Sequence, residues 1–249
     1  MNDTKFHNKL SAGSPAYLPL YKQVEEYVKQ LIVEQRWKVG EILPNEFQLA
    51  EEFNVSQGTV RKALSALTDA KILYRRQGVG TFVSEHTGQQ ALYRFFPLVA
   101  DGKKPELPMS ETISRKIELA QGDVLENLQL KQGEKVIVLS RRRKIDSELC
   151  ILEDIYLPEK YFEGMMEEPE IPHTLYHFYQ TNYRHTVQDI SDCIKAILPT
   201  KADAKSLGIK PTEPLLQFTR LSKSLTGQLI EFRQTRCRSD NYHYLVKFD

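Results

Sequence analysis

The 249-residue chain has little of what covalent or metal chemistry needs. Its three cysteines, Cys150, Cys193 and Cys237, are far apart and odd in number, without CxxC spacing, which argues against a disulfide scaffold and fits a reducing compartment. His173 and His177 stand four apart, as two ligands on one helix face would. No fixed Cys/His pattern joins them to His185 or Cys193, so no metal site is assigned. No Ser/His/Asp arrangement is visible; no catalytic residue and no cofactor are assigned. Net charge is also lacking, at +1 from 34 Lys and Arg against 33 Asp and Glu, so the chain as a whole is not drawn to nucleic acid or membrane. No apolar run approaches a membrane span, and the opening "MNDTKFHNKLSAGSPAY" lacks the apolar centre of a signal peptide; a cytoplasmic protein without a membrane partner is expected. Repeats and low-complexity tracts are absent too.

What is present is local. From Ser56 to Val83 the basic residues Arg61, Lys62, Lys71, Arg75 and Arg76 face one acid, Asp69, whereas acids outnumber bases from Tyr21 to Glu52. Residues 1–16 read as a flexible arm. Leu20, Val24, Val28, Leu31 and Ile32 then recur at helical spacing. "NEFQLAEEF" reads as a second, short helix with Asn45 as N-cap and Phe47, Leu49, Ala50 and Phe53 as apolar positions. Ser56 caps a third helix with Val60, Ala63, Leu64 and Leu67 inward. "ILYRR" and "TFVSE" flank "QGVG" as a hairpin. Three helices and a hairpin make a winged helix-turn-helix over 17–84. A helix of this kind fits the DNA major groove, and a glycine tip at Gly78 and Gly80 lets backbone approach the sugar-phosphate wall. Gln57, Thr59, Arg61 and Lys62 lie off the apolar stripe. Arg suits guanine and Gln adenine; Thr59 and Lys62 suit phosphate, and Arg75 and Arg76 add charge neutralisation. A merely solvated basic face is the alternative, and the agreement of turn, cap, charge and hairpin weighs against it. Gly58 sits in the helix's first turn, where glycine costs up to about 1 kcal/mol.

"PLYKQVEEYVKQLI", "LPNEFQLAEEFNVSQGTVRKALSALTDAKIL" and "RRQGVGTFV" together resemble the DNA-binding domain of GntR-type bacterial transcription regulators. The resemblance implies DNA contacts from Asn45, Glu46, Ser56, Gln57, Gly58, Thr59, Arg61, Lys62, Arg75, Arg76, Gly78, Gly80 and Thr81. The chain departs from the family at Asn45, where Ser is usual, and at Gln57, where a guanine-reading Arg is usual.

After a polar linker over 85–91, residues 92–249 read as α+β with a mainly antiparallel sheet. "KVIVLSRRRKI" and "LCILEDIYLP" pair around "DSE"; "HTLYHFYQTNY" reads as a helix, and "VQDISDCIKAIL" as strand-like or mixed. "TKADAKSLGI" is a short helix closed by Gly208, two further strands meet at Thr226-Gly227, and "YHYLVKF" is a last strand. Arg141 and Arg143, two apart in a strand, project from one face as a clamp for carboxylate or phosphate. An exposed basic strand remains the competing reading of Arg141 to Lys144. Glu153 in the next strand and Glu231 in a later one could each accept hydrogen bonds from ligand hydroxyl or amino groups, and Glu153, in an apolar run, needs a partner if buried. Tyr93, Phe95 and Phe96 read as core or interface, and Cys150 as a small buried hydrophobe. The order of these segments resembles the UTRA effector domain of the HutC-like subfamily, similar in fold to chorismate lyase. That resemblance implies effector contacts from Thr174, Tyr176 and Glu231, and departs at Cys237, where relatives that bind sugar phosphates have Tyr. The expected function is a ligand-responsive regulator, a repressor, binding a two-fold operator on double-stranded DNA as a homodimer under control of a small anionic metabolite. An enzyme acting on a small carboxylate, or a ligandless dimerisation module, stay open as alternatives for the second part.

Overall fold

The computed structural model describes residues 18–85 and 95–246. The chain divides into two compact units, Met1–Glu85 and His86–Asp249. The expected arm over 1–16, all of the expected linker but Glu85, and Tyr93 lie outside the described residues.

In the first unit, α1 (Leu20–Val33) buries Val24, Val28, Leu31 and Ile32, while Leu20, its first residue, is exposed. Asn45 starts α2 (Glu46–Glu52) with a capping box: its side chain accepts from the Gln48 amide at 2.9 Å, and the Gln48 side chain accepts from the Asn45 amide at 3.0 Å. Leu49, Ala50 and Phe53 take the buried face, which leaves Phe47 60% exposed and outside the core. Asn54, at φ 49°, turns the chain between helices, a conformation Asn tolerates. Ser56 Oγ then caps α3 (Gln57–Asp69) by accepting from the Thr59 amide at 3.1 Å. Val60, Ala63, Leu64 and Leu67 form its buried stripe; each Leu taken from water contributes roughly 1.5–3 kcal/mol. The hairpin of β1 (Leu73–Arg76) and β2 (Gly80–Val83) runs from Leu73↔Val83 to Arg76↔Gly80, with Ile42 bridging Phe82.

The second unit is built on a six-stranded antiparallel sheet in the order β4-β5-β6-β9-β8-β7. Its strands are β4 (Met109–Leu119), β5 (Lys135–Ile145), β6 (Glu148–Pro158), β7 (Val187–Ile197), β8 (Leu215–Ser224) and β9 (Leu229–Arg238). β5 and β6 join through Asp146 and Ser147, both at positive φ, the geometry a two-residue hairpin demands. β10 (Tyr242–Tyr244), the last strand read from sequence, pairs separately with β3 (Leu98–Ala100); neither β3 nor β4 was expected from sequence. The segment 187–197, read as strand-like or mixed, is a full edge strand. α4 (Gly122–Asn127) precedes β5, α5 (Leu175–Asn182) precedes β7 and α6 (Lys201–Leu207) precedes β8. α5 packs its Leu175, Tyr176, Phe178 and Tyr179 with Ile137, Leu139, Ile155 and Leu157 of the sheet. Val136, Val138 and Phe232, whose side chains alternate to the other face, cluster with Leu128 and Leu130 instead. Among the described residues no helix is long and apolar enough to cross a membrane.

Candidate nucleic-acid interface and arginine-lined cavity

On α3, Gln57, Gly58, Arg61 and Lys62 are exposed. A Cβ on Gly58 would meet only Ser56 Oγ, at 3.8 Å, so the fold does not require glycine there. Thr59 is half-buried and its hydroxyl lies 2.9 Å from Ser56 Oγ, so the cap already engages it. Lys62 Nζ stands 3.9 Å from the Tyr21 ring centroid, a cation–π contact that ties α3 to α1. Glu46 occupies a place that a phosphate contact cannot explain, because a carboxylate repels phosphate. Its Oε2 accepts from Arg61 Nε at 2.8 Å and its Oε1 from Arg75 Nη2 at 3.4 Å, so it joins α3 to the wing strand. Arg76 lies over the Tyr74 and Phe82 rings at 5.5 and 5.1 Å, which sets its direction along the wing. At the tip Gly78 has φ 72°, Val79 is 63% exposed, and a Cβ on Gly80 would meet Ile42 Cδ1 at 2.7 Å. Thr81 is half-buried opposite Arg75, and its carbonyl accepts from the Leu43 amide at 2.8 Å.

In the second unit the strand alternation sorts the basic run of β5: Arg141 and Arg143 are buried, Arg142 and Lys144 exposed. The exposed-strand reading thus holds for Arg142 and Lys144, while Arg141 and Arg143 share the buried face that the clamp reading needs. Register places Glu153 opposite Arg141, and Thr235 opposite Glu153. Arg143 Nη1 donates to Glu153 Oε1 at 2.9 Å, and its Nε donates to Ser110 Oγ at 2.9 Å. Arg233 lies between two acids. It reaches Glu153 Oε1 at 3.4 Å and grips Glu231 bidentately, at 3.1 and 2.8 Å. Glu231 also accepts from the Tyr176 and Tyr179 hydroxyls, each at 2.9 Å, and from Ser222 Oγ at 3.3 Å. At the outer end Arg220 holds Asp192 of β7 through Nε at 2.8 Å and Nη2 at 2.6 Å, and Tyr244 donates to the same carboxylate at 2.6 Å.

The electrostatics follow from burial set against pairing. Burial alone would raise the Glu153 carboxyl, but Arg143, Arg233 and Arg141 hold it at about 2. Burial lowers Arg141 to about 10, partly offset by Glu153. Burial first, then Glu231, pushes the Tyr176 hydroxyl up to about 12, so it stays a neutral donor. Arg141 differs from the other three arginines in its partners. Its Nη2 donates to the carbonyls of Pro172, at 2.9 Å, and His173, at 3.5 Å, while its Nε is buried with no hydrogen-bond partner.

These residues wall one cavity. Arg141, Arg143, Arg220 and Arg233 line it with Thr174, Tyr176, His173 and His177, under Phe95, Phe96 and Leu107. Its volume is about 40 Å³, space for roughly three waters at about 10–15 Å³ each. Arg141, Arg143, Thr174 and Tyr176, read from sequence, meet here; Glu153 and Glu231 stand behind the wall and orient its arginines. Cys237 does not line the cavity. It is buried with Cys150, Ile151, Phe218 and Tyr242 in an apolar cluster, where a small thiol fits. Sequence reasoning missed Arg220, Arg233, Ser222, Tyr179 and Asp192; Arg233 was within reach, since it shares a strand face with Glu231 two residues before it. Phe95 and Phe96 are buried and flank the cavity, Phe95 edge-on to Tyr176 at 4.8 Å between centroids. His173 and His185 are engaged with backbone, at Ser110 and at the Tyr161 carbonyl. Among the described residues no three His, Cys, Asp or Glu gather as metal ligands would.

Two families match. The one described as "UTRA domain" covers residues 104–243, and "Bacterial regulatory proteins, gntR family" covers residues 20–83. The chain is 26% identical over 232 residues to the mannosyl-D-glycerate transport/metabolism system repressor MngR of Escherichia coli (strain K12), spanning 92% of this chain and 95% of that protein. It is 26% identical over 233 residues to the HTH-type transcriptional repressor NagR of Bacillus subtilis (strain 168), spanning 93% and 96%. In fold it is similar to PhnF from Mycobacterium smegmatis, with a TM-score of 0.55 at 22% identity over 91% of this chain and 99% of that one.

Proposed function

Because the chain belongs to the gntR family of bacterial regulatory proteins and carries a UTRA domain, we propose that it is a cytoplasmic repressor, a homodimer on a two-fold operator, released or retained by a small anionic metabolite. The family makes it a ligand-responsive transcription regulator and not an enzyme. α3 enters the major groove with Gln57 and Arg61 toward base edges and Lys62 toward phosphate, and the wing lays Gly78 to Gly80 beside the minor groove, with Arg75 and Arg76 on the backbone. Asn45, Ser56 and Thr59 act at the helix starts, where backbone N–H groups favour phosphate. Glu46 acts through the two arginines it holds.

The observation that carries the metabolite's charge is Arg141. A guanidinium Nε buried in a cavity wall without an acceptor, beside three arginines whose carboxylates are already shared, suits a ligand carboxylate or phosphate. Thr174 and Tyr176 supply hydroxyls for its polar body. MngR's name ties that relative to mannosyl-D-glycerate, a hydroxylated carboxylate, and a metabolite of this class fits the same inventory here. The test is a thermal-shift screen of sugar acids, phosphosugars and amino-acid catabolites on the full chain, followed by gel shift with its upstream DNA. A hit that changes DNA retention, and is lost in Arg141→Ala with the fold intact, is expected. Stabilisation only by uncharged compounds would overturn the anion assignment.

A further inference from the structure

The outer strand β7 is an exposed edge of the sheet. Ser191, Cys193, Lys195 and Ala196 are all exposed, Ile194 is 44% exposed, and Leu198 just beyond is 66% exposed. A long exposed edge strand is a template for another strand; the one register shift of β7, between Val187 and Asp189, lies before the stretch 189–195, and the edge charges of that stretch have to be matched by whatever pairs with it. The opposite edge is covered over part of its length: on β4, His173 Nδ1 sits 3.0 Å from the Ser110 amide, and Arg115 reaches across to the carbonyls of Met165 and Glu168, each at 2.8 Å.

We propose that β7 pairs with β7 of a second copy of this chain, antiparallel, about a two-fold axis at Asp192; this rests on the homodimer reading above. The order of side chains argues for that occupant and that register. With the axis at Asp192, Asp189 faces Lys195 of the second copy, Ile190 faces Ile194, and Ser191 faces Cys193, each pairing occurring twice. Asp189 and Lys195 have no ion-pair partner among the described residues, so the contact gives each its first. Because opposed residues must point to the same face, the axis passes through a residue and not between two; the nearest alternatives are Ser191 and Cys193. At Ser191 it would oppose Ile190 to Asp192, and at Cys193 it would oppose Asp192 to Ile194, and both lose the Asp189–Lys195 pairing. The two Asp192 carboxylates that meet at the axis are each already neutralised by Arg220 and bonded by Tyr244. Because Arg220 lines the cavity, the interface lies one ion pair away from the ligand.

Two measurements on the full chain test this. In Ser191→Cys, the new thiol faces Cys193 of the other copy with Cα atoms about 4.5–5.5 Å apart, within disulfide reach. Oxidised glutathione, as electron acceptor, should convert it to a covalent dimer on a non-reducing gel, while wild type and Ser114→Cys on β4 stay monomeric on the gel. In sedimentation, Asp189→Lys and Lys195→Asp should each raise the dimer dissociation constant about tenfold or more, and the double exchange should restore it to within about threefold. A wild-type chain that is monomeric throughout overturns the homodimer itself. A wild-type dimer indifferent to the charge exchange, with no cross-link from Ser191→Cys, overturns this interface and leaves the homodimer standing.

Discussion

Replacing Glu153 with Gln keeps the side chain's shape and removes the charge between Arg143 and Arg233. Burial would raise that carboxyl, yet the arginines hold it at about 2, against an ordinary value of 4.5. A carboxyl whose folded value lies below its unfolded one contributes stability that is complete above the ordinary value and lost as pH falls toward the folded one. Here the window runs from about pH 4.5 down to about 2, and the full contribution is on the order of 3 kcal/mol. Removing one member of a buried pair strands the others, at a cost of about 3–5 kcal/mol. For a unit of this size each kcal/mol lowers Tm by about 2–4 °C, so Glu153→Gln should cost on the order of 10 °C. The chain's single tryptophan makes the assay selective, because Trp37 is buried in the first unit. The far-UV circular dichroism melt should therefore show an early sheet transition in the variant while the Trp37 fluorescence transition stays in place. Between pH 4.5 and 2 the wild type should lose stability more steeply than the variant. A variant that melts with the wild type, or shares its acid slope, refutes the view that this ion network holds the sheet face together.

Three further outcomes are expected. Gly58→Ala meets no clash, so thermal unfolding of the first unit should be unchanged or raised by up to about 1 kcal/mol, while operator affinity in a gel shift falls about tenfold as the methyl group intrudes beside the bases; unchanged affinity would remove Gly58 from the interface. Glu46→Gln should free Arg61 and Arg75, which raises affinity for non-operator DNA and steepens its salt dependence in fluorescence anisotropy titrations; an unchanged salt slope would mean the two arginines do not reach phosphate. Gly80→Ala adds a Cβ 2.7 Å from Ile42 Cδ1 at φ 154° and should destabilise the wing by about 1 kcal/mol or more, read as faster amide exchange in β2. Adding Ile42→Ala should recover the steric part alone.

The first unit was legible because its signals are local. Asn45 and Ser56 cap the helices they precede, and the apolar spacing of α3 fixes which side its polar residues take. Leu20 and Phe47 misled because each fits a helical pattern at a helix's first turn, where no neighbour covers it. The second unit's sheet was half legible. β5 and β6 are interior strands with apolar runs, and β8 and β9 declare themselves around the Thr226-Gly227 turn, whereas β4, exposed along most of its length, has neither signal. The cavity was legible as chemistry but not as geometry. Arg141 and Arg143 declare their shared face by spacing, but only register brings Arg233 and Arg220 beside them from strands some 80 residues later, and only packing shows that Cys237 points into an apolar cluster.

The ion pair of Asp192 with Arg220 joins the outermost strand to the cavity wall. Thermodynamic reciprocity then ties two quantities that are usually measured apart. Whatever factor a ligand at Arg220 applies to the association of two chains, association applies to the ligand's own binding constant. If the proposed pairing and ligand site hold, a dose–response curve recorded on dilute protein should differ from one recorded on concentrated protein, and the abundance of the regulator would then help to set the metabolite level at which its genes respond.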